Sequence, residues 1–205
     1  SMTENTAKLI LASQSPRRLE LLKQVTDQFE VVPSSVEEKL DYGRRPEENA
    51  RALARTKAES VAKNYPNDWV IGADTLVTLD DEIFEKPVDV PDAQRILRRL
   101  SGRKHLVITG ICIVSPGKTL DKAVISKVRF KSLSQEEISR YIQTGEPMDK
   151  AGAYAIQGKG KFMIREFSGS ESNIIGLPID ELKILLKKTG FPPLGVGPTG
   201  NSSAG

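Results

Sequence analysis

Short apolar runs alternate along the chain with stretches of helical period, and the runs tend to end in small polar clusters. Leu9-Ile10-Leu11-Ala12 has the pattern of a buried strand, and it stops at Ser13-Gln14-Ser15-Pro16-Arg17-Arg18. Pro16 suits the first position of a helix, where its missing N–H costs nothing, and Ser15 is a favoured N-cap residue. Leu19, Leu21, Leu22 and Val25 then predict a short amphipathic helix, and Phe29-Glu30-Val31-Val32 a second strand. A longer helix is predicted from Pro46 to Lys63, with Ala50, Leu53, Ala54, Lys57, Ala58 and Val61 on or near one stripe. Trp69 to Thr75 reads as a buried strand ending in a carboxylate, followed by Leu76-Val77-Thr78-Leu79 and a turn at Asp80-Asp81. That reading places Asp74 outside the carboxyl end of a strand, where parallel sheets carry their chemistry.

The second half continues the pattern. Ala93, Ile96, Leu97 and Leu100 predict the inward face of a helix from Asp92 to Leu100, stopped by Ser101-Gly102. A strand over Leu106 to Val114, a turn at Ser115-Pro116-Gly117-Lys118 and a partner strand from Thr119 to Phe130 follow. Ser134-Gln135-Glu136-Glu137 is a capping box opening a helix to about Gln143, with Gly145 as its stop. Met148 to Gly158 has no amphipathic pattern; its small residues permit close backbone approach, and Asp149, Lys150 and Gln157 stand out as polar. Phe162-Met163-Ile164 reads as the start of another strand, Ser168-Gly169-Ser170 as a turn, and Leu177 to Lys188 as a closing helix.

Composition narrows the chemistry. The 205 residues are 38% hydrophobic and 28% charged, an ordinary globular mixture of one or two domains. A net charge of +3, without a run of Lys and Arg, does not make the basic stripe of a nucleic-acid binder. No segment has the apolar length of a membrane span. Cys112, the single cysteine, lies within Ile111-Cys112-Ile113-Val114 and reads as a buried thiol of a reducing compartment, so a cytoplasmic location is expected. One Cys and one His cannot build a zinc cluster; any metal must be held by oxygen, which points to Mg²⁺ or Mn²⁺. His105 reads as a hydrogen-bonded structural residue. Ser1 before Met2 reads as the scar of a cleaved tag, and residues 1–7 and 191–205 are expected to be disordered around a domain over 8–190.

The polar clusters suit a polyanion. A helix start carries partial positive charge and N–H groups, and Ser13, Ser15, Arg17 and Arg18 add hydroxyls and guanidinium forks to it. Lys57 is a cation on an otherwise apolar stripe; its tip either snorkels to solvent or serves as a phosphate ligand. Lys86 is held extended by Pro87, which aims its side chain. Glu38, in Val36-Glu37-Glu38-Lys39, is either part of a solvated loop or turns inward toward a metal. Cations for phosphate oxygens, carboxylates for a divalent ion and a carboxylate to activate water make a consistent set. A Walker-type G-x-x-x-x-G-K-[ST] loop is absent.

Ser13-x-Ser15-Pro16-Arg17-Arg18, Gly72-Ala73-Asp74-Thr75, Glu85-Lys86-Pro87, Leu100-Ser101-Gly102-Arg103-x-His105, Glu146 to Tyr154 with Ile156-Gln157-Gly158, and Gly176-Leu177-Pro178 resemble the Maf family of nucleotide pyrophosphatases. The likeness spans about residues 8 to 188 in the family's order. It implies an α/β fold: an elongated mixed sheet with flanking helices, in two lobes around a central cleft, usually as a homodimer. It further implies hydrolysis of a nucleoside triphosphate between the α and β phosphates, with a divalent cation. Asp74 would be the proton acceptor; Ser13, Arg17, Arg18, Lys57, Thr75, Lys86 and Gln157 would bind substrate; and Glu38, Asp74 and Asp149 would hold the metal. Arg17, Thr75 and Gln157 resemble the branch that prefers dTTP and UTP, and a side-chain amide such as Gln157 can meet the donor and acceptor edge of uracil or thymine. Ala155 and Ser170 to Asn173 depart from common family forms and bear on the shape of the base pocket. The alternatives are a non-catalytic nucleotide-binding regulatory module, a pyrophosphatase of the 7-methyl-GTP type, and a phosphatase that removes the γ-phosphate.

Overall fold

The computed structural model describes residues 7–194. The expected tag remnant and tail lie outside the described residues, apart from Ala7 and 191–194. The described chain is a mixed α/β fold. Its elements are β1 (Leu9–Leu11), α1 (Pro16–Lys23), β2 (Glu30–Val31), α2 (Pro46–Ala62), β3 (Trp69–Leu79), β4 (Glu82–Phe84), α3 (Val90–Leu100), β5 (Lys104–Val114), β6 (Thr119–Phe130), α4 (Gln135–Gln143), β7 (Ile164–Ser168), α5 (Glu171–Ile175) and α6 (Ile179–Lys188). Three short 3-10 segments lie between α4 and β7. The seven strands form one sheet in the order β2-β1-β3-β5-β6-β7, with β4 on β3. β1 is parallel to both β2 and β3, whereas β4 and β7 run antiparallel to β3 and β6.

The chain divides into two compact units. The first holds the described residues up to Asp74, with Gly110–Ala123 and the segment from Gly176; the second holds Thr75–Thr109 and Val124–Ile175. In the first unit, Ala54, Ala58, Val61 and Ala62 of α2 pack with Ile10, Ala12, Val70 and Cys112. The small side chains there have a cause. A Cβ on Gly72 would stand 2.3 Å from the carbonyl oxygen of Ala54, and one on Gly110 would stand 2.1 Å from that of Ala50. The backbone of α2 therefore lies directly on the sheet at both glycines. Cys112 is fully buried, and burial pushes its thiol up to about 12, so it is an inert core residue.

In the second unit the inward face of α3 (Ala93, Ile96, Leu97, Leu100) packs with Val77, Phe84, Phe130, Ile138 and Tyr141. His105 lies in this core, 1% exposed, 2.6 Å from the hydroxyl of Tyr154 and edge-on to Phe130. Burial pushes its imidazole down to about 3, so it stays neutral and structural.

Two expectations change. Asp74 is not at the end of a strand: β3 continues unbroken to Leu79 because Val77, Thr78 and Leu79 find antiparallel partners in β4. What ends is its parallel neighbour. β1 stops at Leu11, opposite Ile71, and Asp74 lies three residues further on. Nor does a strand begin at Phe162: Gly158–Met163 is a 3-10 segment, and β7 starts at Ile164. Gly160 sits so close to the Tyr141 hydroxyl that a Cβ would be 2.6 Å from it, which holds that segment in its coiled path.

Gly110→Ala should destabilise the protein by about 3 kcal/mol or more, since the new methyl meets backbone rather than a side chain that can turn away. Urea unfolding should show the midpoint fall; an unchanged midpoint would mean that α2 is free to lift from the sheet.

Candidate active site

In the first unit the turn between β1 and α1 is organised by its serines. Ser13, 8% exposed, accepts the N–H of Ser15 at 3.1 Å, and Ser15 accepts the N–H of Arg18 at 3.3 Å as the N-cap. Each hydroxyl accepts from the backbone and so keeps its own hydrogen to donate. Arg18 leaves α1 toward Gly176, donating from Nε to that carbonyl at 2.7 Å. Burial pushes its pKa below the ordinary guanidinium value while the charge of Asp74 pulls it back up, so the two residues feel one another. An arginine remains a cation through such a shift. Arg17 stands beside it on the same helix.

Lys57 does not snorkel to solvent. Its side chain is only 12% exposed, and Nζ lies 2.9 Å from Asp74 Oδ1, 2.8 Å from Glu38 Oε1 and 3.4 Å from the carbonyl oxygen of Ala73. An ammonium has three hydrogens, and all three have acceptors here. Lys57 thus binds a buried and a half-exposed carboxylate at once; Asp74 is 5% exposed, and the side chain of Glu38 is 44% exposed. Glu38 reaches this position on a segment without regular structure, which Asn49 clamps from α2. The Asn49 amide accepts the Asp41 N–H and donates to the Asp41 carbonyl, both at 2.9 Å.

Asp74 carries the strongest chemical signal. One oxygen is held by Lys57, while Oδ2 is buried without a hydrogen-bond partner. Burial raises the pKa of the carboxyl; Lys57 and then Arg18 oppose this but do not overcome it. A buried acceptor oxygen next to a second carboxylate is a hard-ligand arrangement suited to Mg²⁺, which takes one or two carboxylates together with substrate phosphates. Asp149, expected as a third ligand, pairs with Lys150 Nζ at 2.8 Å, its side chain 66% exposed. No group of three His, Cys, Asp or Glu able to hold a metal occurs among the described residues.

The other expected substrate residues lie in the second unit. Thr75 follows Asp74 directly on β3. Its hydroxyl meets that of Thr109 at 2.9 Å. Thr109 in turn donates to the carbonyl of Asn173, whose side-chain amide donates to the Val107 carbonyl and to Ser126 Oγ. Lys86 is exposed and follows β4, with buried Pro87 after it. Gln157 is exposed and precedes the 3-10 segment Gly158–Met163, which Glu146 anchors by accepting the N–H groups of Lys159 and Gly160 at 3.1 and 2.9 Å. Thr109 and Asn49 are absent from the residues singled out in the sequence, and Glu146 and Asn173 fall within stretches noted there without a role of their own. A threonine inside the apolar run Val107 to Val114 was the one available signal.

The family model described as Maf-like protein matches residues 8–189, and the chain belongs to the Maf family. It is 47% identical over 187 residues to the dTTP/UTP pyrophosphatase of Dictyoglomus thermophilum, with 90% of this chain and 97% of that protein covered. It is 46% identical over 182 residues to the dTTP/UTP pyrophosphatase of Koribacter versatilis, covering 89% and 94%. The Staphylococcus aureus Ham1 protein shares the fold with a TM-score of 0.51 at 16% identity, over 88% of this chain and 98% of that one.

A carboxyl whose folded pKa lies above its ordinary 3.8 takes up protons on folding. Its protonated form costs no stability at low pH, and the cost of the buried charge appears as pH rises through the folded value. Asp74→Asn should therefore gain stability relative to wild type as pH rises above about 4, with a slope of at most about 1.4 kcal/mol per pH unit, and the gain should level off once pH passes the folded value. Urea unfolding at a series of pH values checks this; a gap that is constant with pH would show that Asp74 titrates normally.

Proposed function

We propose that this chain hydrolyses dTTP and UTP to the nucleoside monophosphate and pyrophosphate, with Asp74 as proton acceptor. The observation that carries the reading is Asp74 itself, a buried carboxylate with one oxygen fixed by Lys57, the other without a protein partner, and a raised affinity for protons. The names of relatives nearly half identical over almost their full length support the substrate.

A water molecule adds its oxygen to phosphorus at the α–β bridge, the bridging P–O bond breaks, and the proton of the water passes to Asp74 Oδ2. Raising the basicity of a carboxylate brings it closer to what general-base work at neutral pH requires. Lys57 holds Asp74 ionised and aimed, a positioning part; since its three hydrogens already have acceptors, the phosphate binding that the family resemblance implies for it would draw on its charge or on exchange of one of those acceptors. Arg17, Arg18, Lys86 and the Ser13 hydroxyl neutralise and orient phosphate oxygens, the guanidinium groups in bidentate fashion. Thr75 and Gln157 read the base. A divalent cation, Mg²⁺ or Mn²⁺, would be held by Asp74 and Glu38, and when bound it supplies charge neutralisation and a more acidic water.

Incubation with Mg²⁺ and dTTP, UTP, CTP, GTP or 7-methyl-GTP, followed by ion-exchange separation, tests the reading. Monophosphate and pyrophosphate should form fastest from dTTP or UTP, and Asp74→Asn should lower the rate by on the order of a thousandfold. Diphosphate and inorganic phosphate as products would give the wrong scissile bond, and nucleotide binding without turnover would make the chain a binding module.

A further inference from the structure

The contact between Thr75 and Thr109 has a direction that its 2.9 Å length alone does not set, because either hydroxyl could donate. The next link sets it. Thr109 Oγ1 lies 2.9 Å from the backbone carbonyl oxygen of Asn173, which has lone pairs and no hydrogen. The single hydrogen of Thr109 must go there, since otherwise two oxygens would face one another lone pair to lone pair in a fully buried site; Thr109 and Asn173 are both 0% exposed. Thr109 therefore accepts from Thr75, and Thr75 spends its own hydrogen on Thr109.

The carbonyl at the end of this relay is itself immobile. The Asn173 N–H donates to Ser170 Oγ at 3.1 Å, and its side-chain amide donates to the Val107 carbonyl at 3.2 Å and to Ser126 Oγ at 3.0 Å. Ser126 Oγ closes the ring by donating to the Ser170 carbonyl at 3.0 Å. A reversal of the Thr75 hydroxyl would require breaking this buried network or leaving one of its members unpaired.

We propose that Thr109 and the Asn173 carbonyl are positioning residues that fix the Thr75 hydroxyl as an acceptor, and so build a preference for bases that carry a ring N–H. This rests on the reading above in which Thr75 meets the base. Uracil and thymine present N3–H to such an acceptor. Cytosine presents a bare N3 lone pair, which a hydroxyl unable to donate repels. A neutral hydrogen bond made in one case and replaced by opposed lone pairs in the other is worth on the order of tenfold in selectivity.

The test compares kcat/KM for UTP and CTP, read as pyrophosphate release, in wild type, Thr109→Val and Thr109→Ser. Wild type should favour UTP. Thr109→Val frees the Thr75 hydrogen to turn toward cytosine, and the UTP-to-CTP ratio should fall by about tenfold, through loss on UTP and gain on CTP. Thr109→Ser keeps the relay and should hold the ratio within about twofold. A Thr109→Val ratio equal to wild type overturns the proposal, as does a Thr109→Ser ratio that collapses with it, because Ser keeps the hydroxyl relay and the change would then come from the lost methyl and not from the hydrogen bond. Should Thr109→Val fail to fold, Thr75→Val serves in its place: its ratio should fall likewise, and an unchanged ratio overturns the proposal. Wild type that releases no pyrophosphate from UTP removes the activity itself, and is distinguished from all of these before any variant is made.

Discussion

The first unit depends on how closely α2 can lie on the sheet. Backbone touches backbone where Gly72 meets Ala54 and where Gly110 meets Ala50, and no residue with a Cβ fits at either glycine. From that approach follows the placement of Lys57, whose ammonium arrives at Asp74 on β3 one turn beyond Ala54. Lysine at this point of a stripe of alanines would be costly without a partner, since a buried cation must be paired. Here it finds two carboxylates, and the second, Glu38, is brought in by an irregular segment that Asn49 pins to the same helix.

The electrostatics of Asp74 follow from the same geometry. Burial favours the neutral acid, and Lys57 and Arg18 favour the carboxylate. The balance leaves a group that is more basic than an ordinary aspartate yet held in one orientation, with one oxygen committed and one directed elsewhere. An aspartate fully neutralised by tight ion pairs would be a weak base, and one buried alone would be protonated and inert at neutral pH. The pair with Lys57 lies between these limits.

Most elements could be read from pattern because their signals are local. The proline and serine that start α1, the capping box of α4 and the apolar face of α3 each carry their own instructions, and the structure places these elements within a few residues of expectation. What pattern missed was set by partners distant in sequence. β3 runs past Asp74 because β4 pairs with it, and Phe162 stays out of β7 because Gly160 is caught under Tyr141. Lys57 was visible as an anomaly on its stripe, but only the fold shows that its partners are Asp74 and Glu38. The Thr75, Thr109 and Asn173 relay left almost no trace: a hydroxyl within an apolar strand reads as a tolerated polar residue until its bonds are followed.

The central claim is that Asp74, with a pKa raised by burial and restrained by Lys57, accepts the proton of the attacking water. The pH dependence of kcat/KM for dTTP in wild type and Lys57→Met tests it most directly, because the acidic limb reports the free enzyme's base. The account predicts a wild-type limb above the ordinary 3.8 of an aspartate, and a further upward displacement in Lys57→Met, where the opposing charge is gone. A limb at the ordinary value, or one that does not move when Lys57 is removed, would contradict it.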